Sequence, residues 1–189
     1  MPSISDIYSG VQELMHQTSH SMTHGSAKTA TRVIDCHLKL DGVTGESKHK
    51  NHKDEIPLRT WHWDIQNPSS STTGGQSVGK GYPGMLTISK SFDSSSPTIA
   101  KFCANGKHFK EATLSMAKSG DGQSTFLTVK LKEVFISSYD VGAEHSGDLH
   151  EHLSVSYGDI EFGYKPQKPD GSLGGEVKFG WDVRTTETR

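Results

Sequence analysis

Apolar and polar residues alternate with a period of two from Val33 onward. Ile34, Cys36, Leu38 and Leu40 fall on one face, which predicts a half-buried strand. DGVTG (41–45) then turns the chain. Residues 55–66 (EIPLRTWHWDIQ) predict the next strand, with Trp61 and Trp63 on one face and His62 on the other. A long polar, Gly-rich segment runs from Asn67 to Gly84 and reads as a loop. Leu86, Ile88 and Phe92 resume the strand pattern, and Ala112, Leu114 and Met116 alternate again before a turn at KSGDGQ (118–123).

Two later runs change phase inside what reads as one strand. In TFLTVKLKEVFISSY (125–139) the apolar positions are Leu127, Val129 and Leu131, then Val134 and Ile136. Leu153, Val155 and Tyr157 are likewise followed by Ile160, Phe162 and Tyr164, with Gly158 between. A phase change predicts a bulge or a corner, because one residue of slip moves every side chain to the other face. Val177, Phe179, Trp181 and Val183 make the last strand. Two corners in long strands suit a small closed or nearly closed barrel. The predicted fold class is mainly β: a small β-barrel built from two sheets, with one flanking α-helix.

That helix is signalled by SSSPTIAKFCANG (94–106). Ser96 is placed to cap it, Pro97 sits at its first position, and Ile99, Phe102 and Cys103 form an apolar stripe. Asn105-Gly106 supplies the left-handed residue that ends it. A second helix is predicted between Ser5 and Met22, where Ile7, Val11, Leu14 and Met15 have helical spacing. HSMTHGSAKTATR (20–32) then reads as a linker. The chain therefore divides into an N-terminal extension, 1–32, and a β domain, 33–189.

Composition narrows the picture. The 189 residues suffice for one domain with a core, but only 31% are hydrophobic, so much of the chain lies in loops or at surfaces. Net charge is −2, which gives no electrostatic footprint for nucleic acid or an anionic membrane. No apolar run approaches a membrane span, and the start lacks the pattern of a secretory signal. The expected protein folds in the cytoplasm and leaves, if it leaves, by another route. Cys36 and Cys103 make no disulfide framework and read as buried small hydrophobes.

Candidate chemistry is thin. In GGQSVGKG (74–81), Gly74, Gly79 and Lys80 satisfy the phosphate-loop spacing. Gly81 replaces the required Ser or Thr, and Tyr82-Pro83 follows where a helix must begin. The segment reads better as a loop that orders against a neighbouring subunit. Among eleven histidines, His150 and His152 share a strand face with His145 nearby, a pair that lacks an assured third ligand. His49 and His52 sit in SKHKNHKDE (47–55), which reads as a solvated charged hairpin. Cys36 and His37 point to opposite faces and cannot act as nucleophile and base. The expectation is no catalytic residue, no metal and no cofactor.

Five segments then line up: LKLDGVTGES (38–47), HKDEI (52–56), WHW (61–63), ANGKHFKEATLSM (104–116) and PQKPDGSLGGEVKFGWDV (166–183). In this order and spacing they closely resemble the hemolysin-coregulated protein (Hcp) family, the tube protein of bacterial type VI secretion. The likeness covers roughly residues 33–185. It implies a β-barrel with one helix, six copies in a ring, and rings stacked into a tube that a contractile sheath expels. It further implies small effectors held in the channel, contact with spike and sheath components, and passage from the bacterial cytoplasm to the outside without a cleavable signal peptide. In the family the loop after the WxW strand helps rings stack, which here points to Asn67, Gly74, Gly75, Lys80 and Tyr82. The family position between the two tryptophans is small and polar and faces the channel; this chain has His62 there, which makes it the candidate cargo contact. Neither membrane insertion nor nucleic-acid binding is implied. The alternative is an Hcp-type secreted effector or adaptor whose N-terminal extension binds a partner.

Overall fold

The structure is a computed structural model that describes residues 34–67, 69–70, 77–78, 80–118 and 124–189. The helix expected at 5–22, its linker, Gly74, Gly75 and turn residues 119–123 lie outside the described residues.

The described chain is mainly β, with one helix. In chain order the strands are β1 (Ile34–Leu40), β2 (Ile56–Pro57), β3 (Thr60–His62), β4 (Ile65–Gln66), β5 (Ser69–Ser70), β6 (Ser77–Val78), β7 (Tyr82–Pro83) and β8 (Leu86–Ser91). Helix α1 (Ser96–Asn105) follows. Then come β9 (His108–Lys118), β10 (Thr125–Ala143), β11 (Leu149–Ser156), β12 (Asp159–Tyr164), β13 (Val177–Asp182) and β14 (Glu187–Thr188).

β10 organises the fold. Its first half pairs with β9 on one side and β12 on the other, and its second half pairs with β11. Its buried residues are Val129 and Leu131, then Val134 and Ile136, so the expected phase change is real. At the change Glu133 has φ 52, a left-handed backbone that a non-glycine residue rarely adopts. β9 changes phase opposite the same point, from Ala112 to Phe109, so the two paired strands bend together. β11 and β12 are one long run broken at Tyr157-Gly158, held by the Gly158 N–H on Lys132 O at 2.9 Å.

The ladder is not continuously closed. Its nearest approach to closure is the segment 56–62, which pairs with β1 at its start and β8 at its end. Leu58 N–H donates to Cys36 O and Arg59 N–H to Ser89 O, both at 2.8 Å, where it changes partner. The single strand expected at 55–66 is therefore three short ones. The core gathers Leu38, Leu40, Ile56, Leu86, Ile88, Leu114, Leu131, Leu153, Val155 and Ile160. α1 packs against β10. Ile99 is fully buried and the Phe102 ring meets Phe109 at 5.2 Å.

Several details differ from the sequence expectation. Ser95, not Ser96, is the N-cap residue, and its side chain caps nothing. The turn is held by Asp93, whose Oδ1 accepts from Ser95 N at 2.9 Å, which frees Ser96 for another partner. The end is as expected: Gly106 has φ 61 and its N–H reaches the last carbonyls. Phe92 lies beyond β8 and is exposed; Lys90 takes the core phase instead and is fully buried. Segment 67–84 is not only loop. β4 pairs with β7, which makes a short antiparallel ribbon, and β5 pairs with β6.

Candidate functional site

Four neighbouring strands, β3, β8, β11 and β10, form one sheet region with two contrasting faces. Register fixes which residues share each face. One row reads His62, Thr87, Ser154, Ser138. The next reads Thr60, Ser89, His152, Asp140. The third reads Ser91, His150, Gly142. Every side chain in these rows is polar. The opposite face reads Trp61, Ile88, Leu153, Tyr139 and, one row on, Leu86, Val155, Ile136, all core residues or packed on the core. A depression of 280 Å³ on the polar face includes His62, Asp140 and His152 in its lining.

The tryptophans orient His62. Trp61 Nε1 donates to Met116 Sδ at 3.1 Å. Trp63 Nε1 donates to Tyr157 Oη at 2.6 Å, and its ring lies 4.8 Å from Phe162. With both indoles turned into the molecule, strand alternation turns His62 outward, and its side chain is exposed. Thr60 Oγ1 and Ser89 Oγ are 2.7 Å apart, and Arg59 Nε donates to Ser91 Oγ at 2.9 Å. The face thus presents hydroxyls, imidazoles and one carboxylate, a set that recognises polar groups by hydrogen bonding.

Of the other sequence candidates, Asn67, Lys80 and Tyr82 are exposed on or beside the ribbon. Tyr82 Oη donates to Gln66 Oε1 at 2.8 Å across the β4–β7 pair. Ile65, Tyr82 and Met85 are each exposed near its base. His150 and His152 do share a face, with ring centroids 5.6 Å apart, and His145 is exposed in the turn beyond. Among the described residues no three His, Cys, Asp or Glu side chains are placed to hold a metal ion. Cys36 is buried and burial pushes its thiol up to about 12; Cys103 is only half-buried.

Two buried groups escaped the sequence reading. Lys90 and Glu151 are opposite each other on the core face and pair there; the signal was a Lys and a Glu each in phase with Leu, Ile or Val. His37, His49 and His52 pack together, so the hairpin expected to be solvated folds onto β1 instead. Alternation alone placed His37 on a polar face and gave no sign of what covers it.

Residues 37–164, from within β1 to the end of β12, match the family described as type VI secretion system effector, Hcp. The chain belongs to the Hcp family. It is 37% identical over 156 residues to the protein hcp1 of Pseudomonas aeruginosa, a match that spans 80% of this chain and 96% of that one. A solved type six secretion system protein superposes with TM-score 0.78 at 26% identity, covering 83% of this chain and all of the other. Hcp1 from Salmonella typhimurium gives TM-score 0.66 at 25% identity, covering 82% and 99%. The type VI secretion assignment carried by the five sequence segments is therefore correct. No described helix is long and apolar enough to cross a membrane.

Proposed function

We propose that this Hcp chain is a subunit of the type VI secretion inner tube, with residues 33–189 as the tube domain and 1–32 as an extension. Six copies form a ring, rings stack, and the polar face around His62 lines the channel where small secreted effectors sit. The ribbon at 65–83 contributes to stacking through Asn67, Lys80 and Tyr82. The tube meets the spike and sheath components of the machine, is assembled in the bacterial cytoplasm and is expelled with its cargo.

The observation that carries this reading is the set of wholly polar rows on β3, β8, β11 and β10. A sheet face with that many hydroxyls and imidazoles suits a wet lumen better than a subunit contact, which favours aromatic and aliphatic groups at its centre. Open strand edges suit a head-to-tail interface whose rotation closes. A net charge of −2 per chain lets many copies stack without strong repulsion.

Native mass spectrometry and negative-stain imaging test the ring: six-membered species are expected, and a strict monomer at high concentration contradicts it. His62→Asp tests the face. Rings should persist while recovery of a co-purifying effector falls; unchanged recovery removes His62 from cargo binding.

A further inference from the structure

Away from the polar face, three imidazoles close into one buried group. The His37 ring on β1 lies 4.8 Å from His52 and 5.0 Å from His49, which are themselves 5.1 Å apart. His37 and His52 are almost closed to solvent. The segment 41–55 holds this shape through its own backbone. Gly45 N–H donates to Asp54 O at 2.8 Å, Ser47 N–H to Glu55 O at 3.0 Å and Asp54 N–H to Ser47 O at 2.9 Å.

The hydrogen bonding leaves the trio under-satisfied. Asn51 N–H donates to His49 Nδ1 at 3.2 Å, so neutral His49 carries its proton on Nε2. That Nε2 and His37 Nδ1 are both buried without a hydrogen-bond partner. His52 is better served: Nδ1 meets Glu55 Oε2 at 2.9 Å and Nε2 meets Thr125 Oγ1 at 3.4 Å. A proton on His37 would be a poorly solvated charge between two imidazoles, so the stack is held best while that ring is neutral.

We infer that the His37–His49–His52 stack is an acid-released clamp, which holds the segment 41–55 onto β1 near neutral pH and lets it lift when the medium turns acidic. Burial holds His37 down at about 4, with His52 and His49 adding to the effect and Asp35 opposing it. The group is depressed in the closed form, so the open form binds the proton more tightly. The clamp is intact above the ordinary histidine value near ~6.5, weakens as pH falls below it, and has lost its full contribution near 4.

The charged surroundings do not reverse this. On the same face β1 supplies Asp35 and Lys39. β9 supplies Ser115 and Thr113 opposite them, with Glu111 one step further. β10 supplies Thr128 and Lys130. β2 brings only Ile56 and Pro57, and the segment carries Glu55 on His52 together with exposed Lys48, Lys50 and Lys53, which exposed Asp41, Glu46 and Asp54 balance in number. The carboxylate hydrogen-bonded within the stack thus serves His52, not His37. This inference is independent of the tube reading.

Hydrogen exchange of the full chain tests it, at pH 7.0, 5.5 and 4.5 with chelator present and intrinsic rates removed. Amides of 41–57 should lose protection more than about tenfold between the highest and lowest pH, because a depressed histidine multiplies the opening constant on protonation. Amides of β8 and β12 should not. His37→Phe, which keeps the ring without the proton site, should abolish that difference. A uniform acid response across the chain, or an equally acid-sensitive His37→Phe segment, overturns the proposal. Should that variant not fold, proton NMR of the wild-type imidazoles decides: His37 must titrate well below ~6.5, and an ordinary midpoint overturns the clamp.

Discussion

Lys90 Nζ lies 2.5 Å from Glu151 Oε2, and both side chains are closed to solvent. The two residues are register partners on β8 and β11, on the core face behind the polar rows. Ser96 Oγ donates to Glu151 Oε2 at 2.8 Å, Tyr139 Oη donates to Glu151 Oε1, and Asp93 Oδ1 takes a bond from Lys90 at 2.9 Å. Burial by itself raises the Asp93 carboxyl; the bonds from Ser95 and Lys90 outweigh it and hold it low. Burial, then the bond to Glu151, raises the Tyr139 hydroxyl and keeps it a donor. The network ties the start of α1 to two central strands.

Removing Lys90 leaves Glu151 a buried charge alone, whereas removing the Glu151 charge leaves Lys90 paired with Asp93. Lys90→Met is expected to destabilise the fold by about 3–5 kcal/mol, and Glu151→Gln, which leaves Lys90 its bond to Asp93, by less. The double variant Lys90→Met/Glu151→Leu should recover part of the Lys90→Met loss, because the apolar pair itself needs no charge balance while Asp93, Ser96 and Tyr139 lose a partner. Guanidinium denaturation midpoints at one fixed protein concentration check this, and two equal, additive losses would contradict it.

The indole of Trp63 depends on a single phenol. Tyr157 Oη accepts from Trp63 Nε1 and donates to Gly84 O at 2.7 Å, so it links the Trp anchor to the base of the ribbon. Tyr157→Phe leaves a partly buried N–H and a carbonyl unpaired, with an expected loss of about 1–3 kcal/mol. Trp63→Phe in the same background should lose less than the sum of the two changes. A double-mutant cycle on denaturation midpoints measures that coupling.

Strand phase carried most of the fold in the sequence. Both corners were visible because Leu131 to Val134 and Tyr157 to Ile160 break a period of two, and the structure bends at those places. The outward turn of His62 was visible for the same reason. What escaped was set by contacts distant in sequence. Lys90 meets its buried partner Glu151, 61 residues on, across the β8–β11 pair. His52 is buried against His37 of β1, with Thr125 on its far nitrogen, and neither contact is local in sequence. The ribbon at 65–83 escaped because its residues carry no apolar alternation, and its pairing is a backbone matter.

The two cysteines should separate by reactivity. Burial holds the Cys36 thiol up at about 12 and leaves almost no surface for a reagent, whereas Cys103 on α1 is half-buried. The thiolate is the reacting form, so Cys36 is doubly protected. With a thiol reagent at pH 8, native protein should label at Cys103 and not at Cys36. Labelling of Cys36 should require denaturant, and peptide mapping distinguishes the sites.

Glu133 sits at the corner where β9 and β10 bend together, with φ 52. A left-handed backbone costs a non-glycine residue about 1–2 kcal/mol, and a β-branched one more. Its side chain returns little, since the ion pair with Arg184 at 2.6 Å joins two well-exposed groups. Glu133→Gly is therefore expected to leave stability unchanged or raise it by up to about 1 kcal/mol. Glu133→Val should lower it by about 1–2 kcal/mol. The comparison isolates the backbone, because both variants lose the same ion pair. Denaturation midpoints for the three proteins give the order Gly, Glu, Val. A glycine variant less stable than the valine one would mean that the corner is set by the side chain and not by the bend.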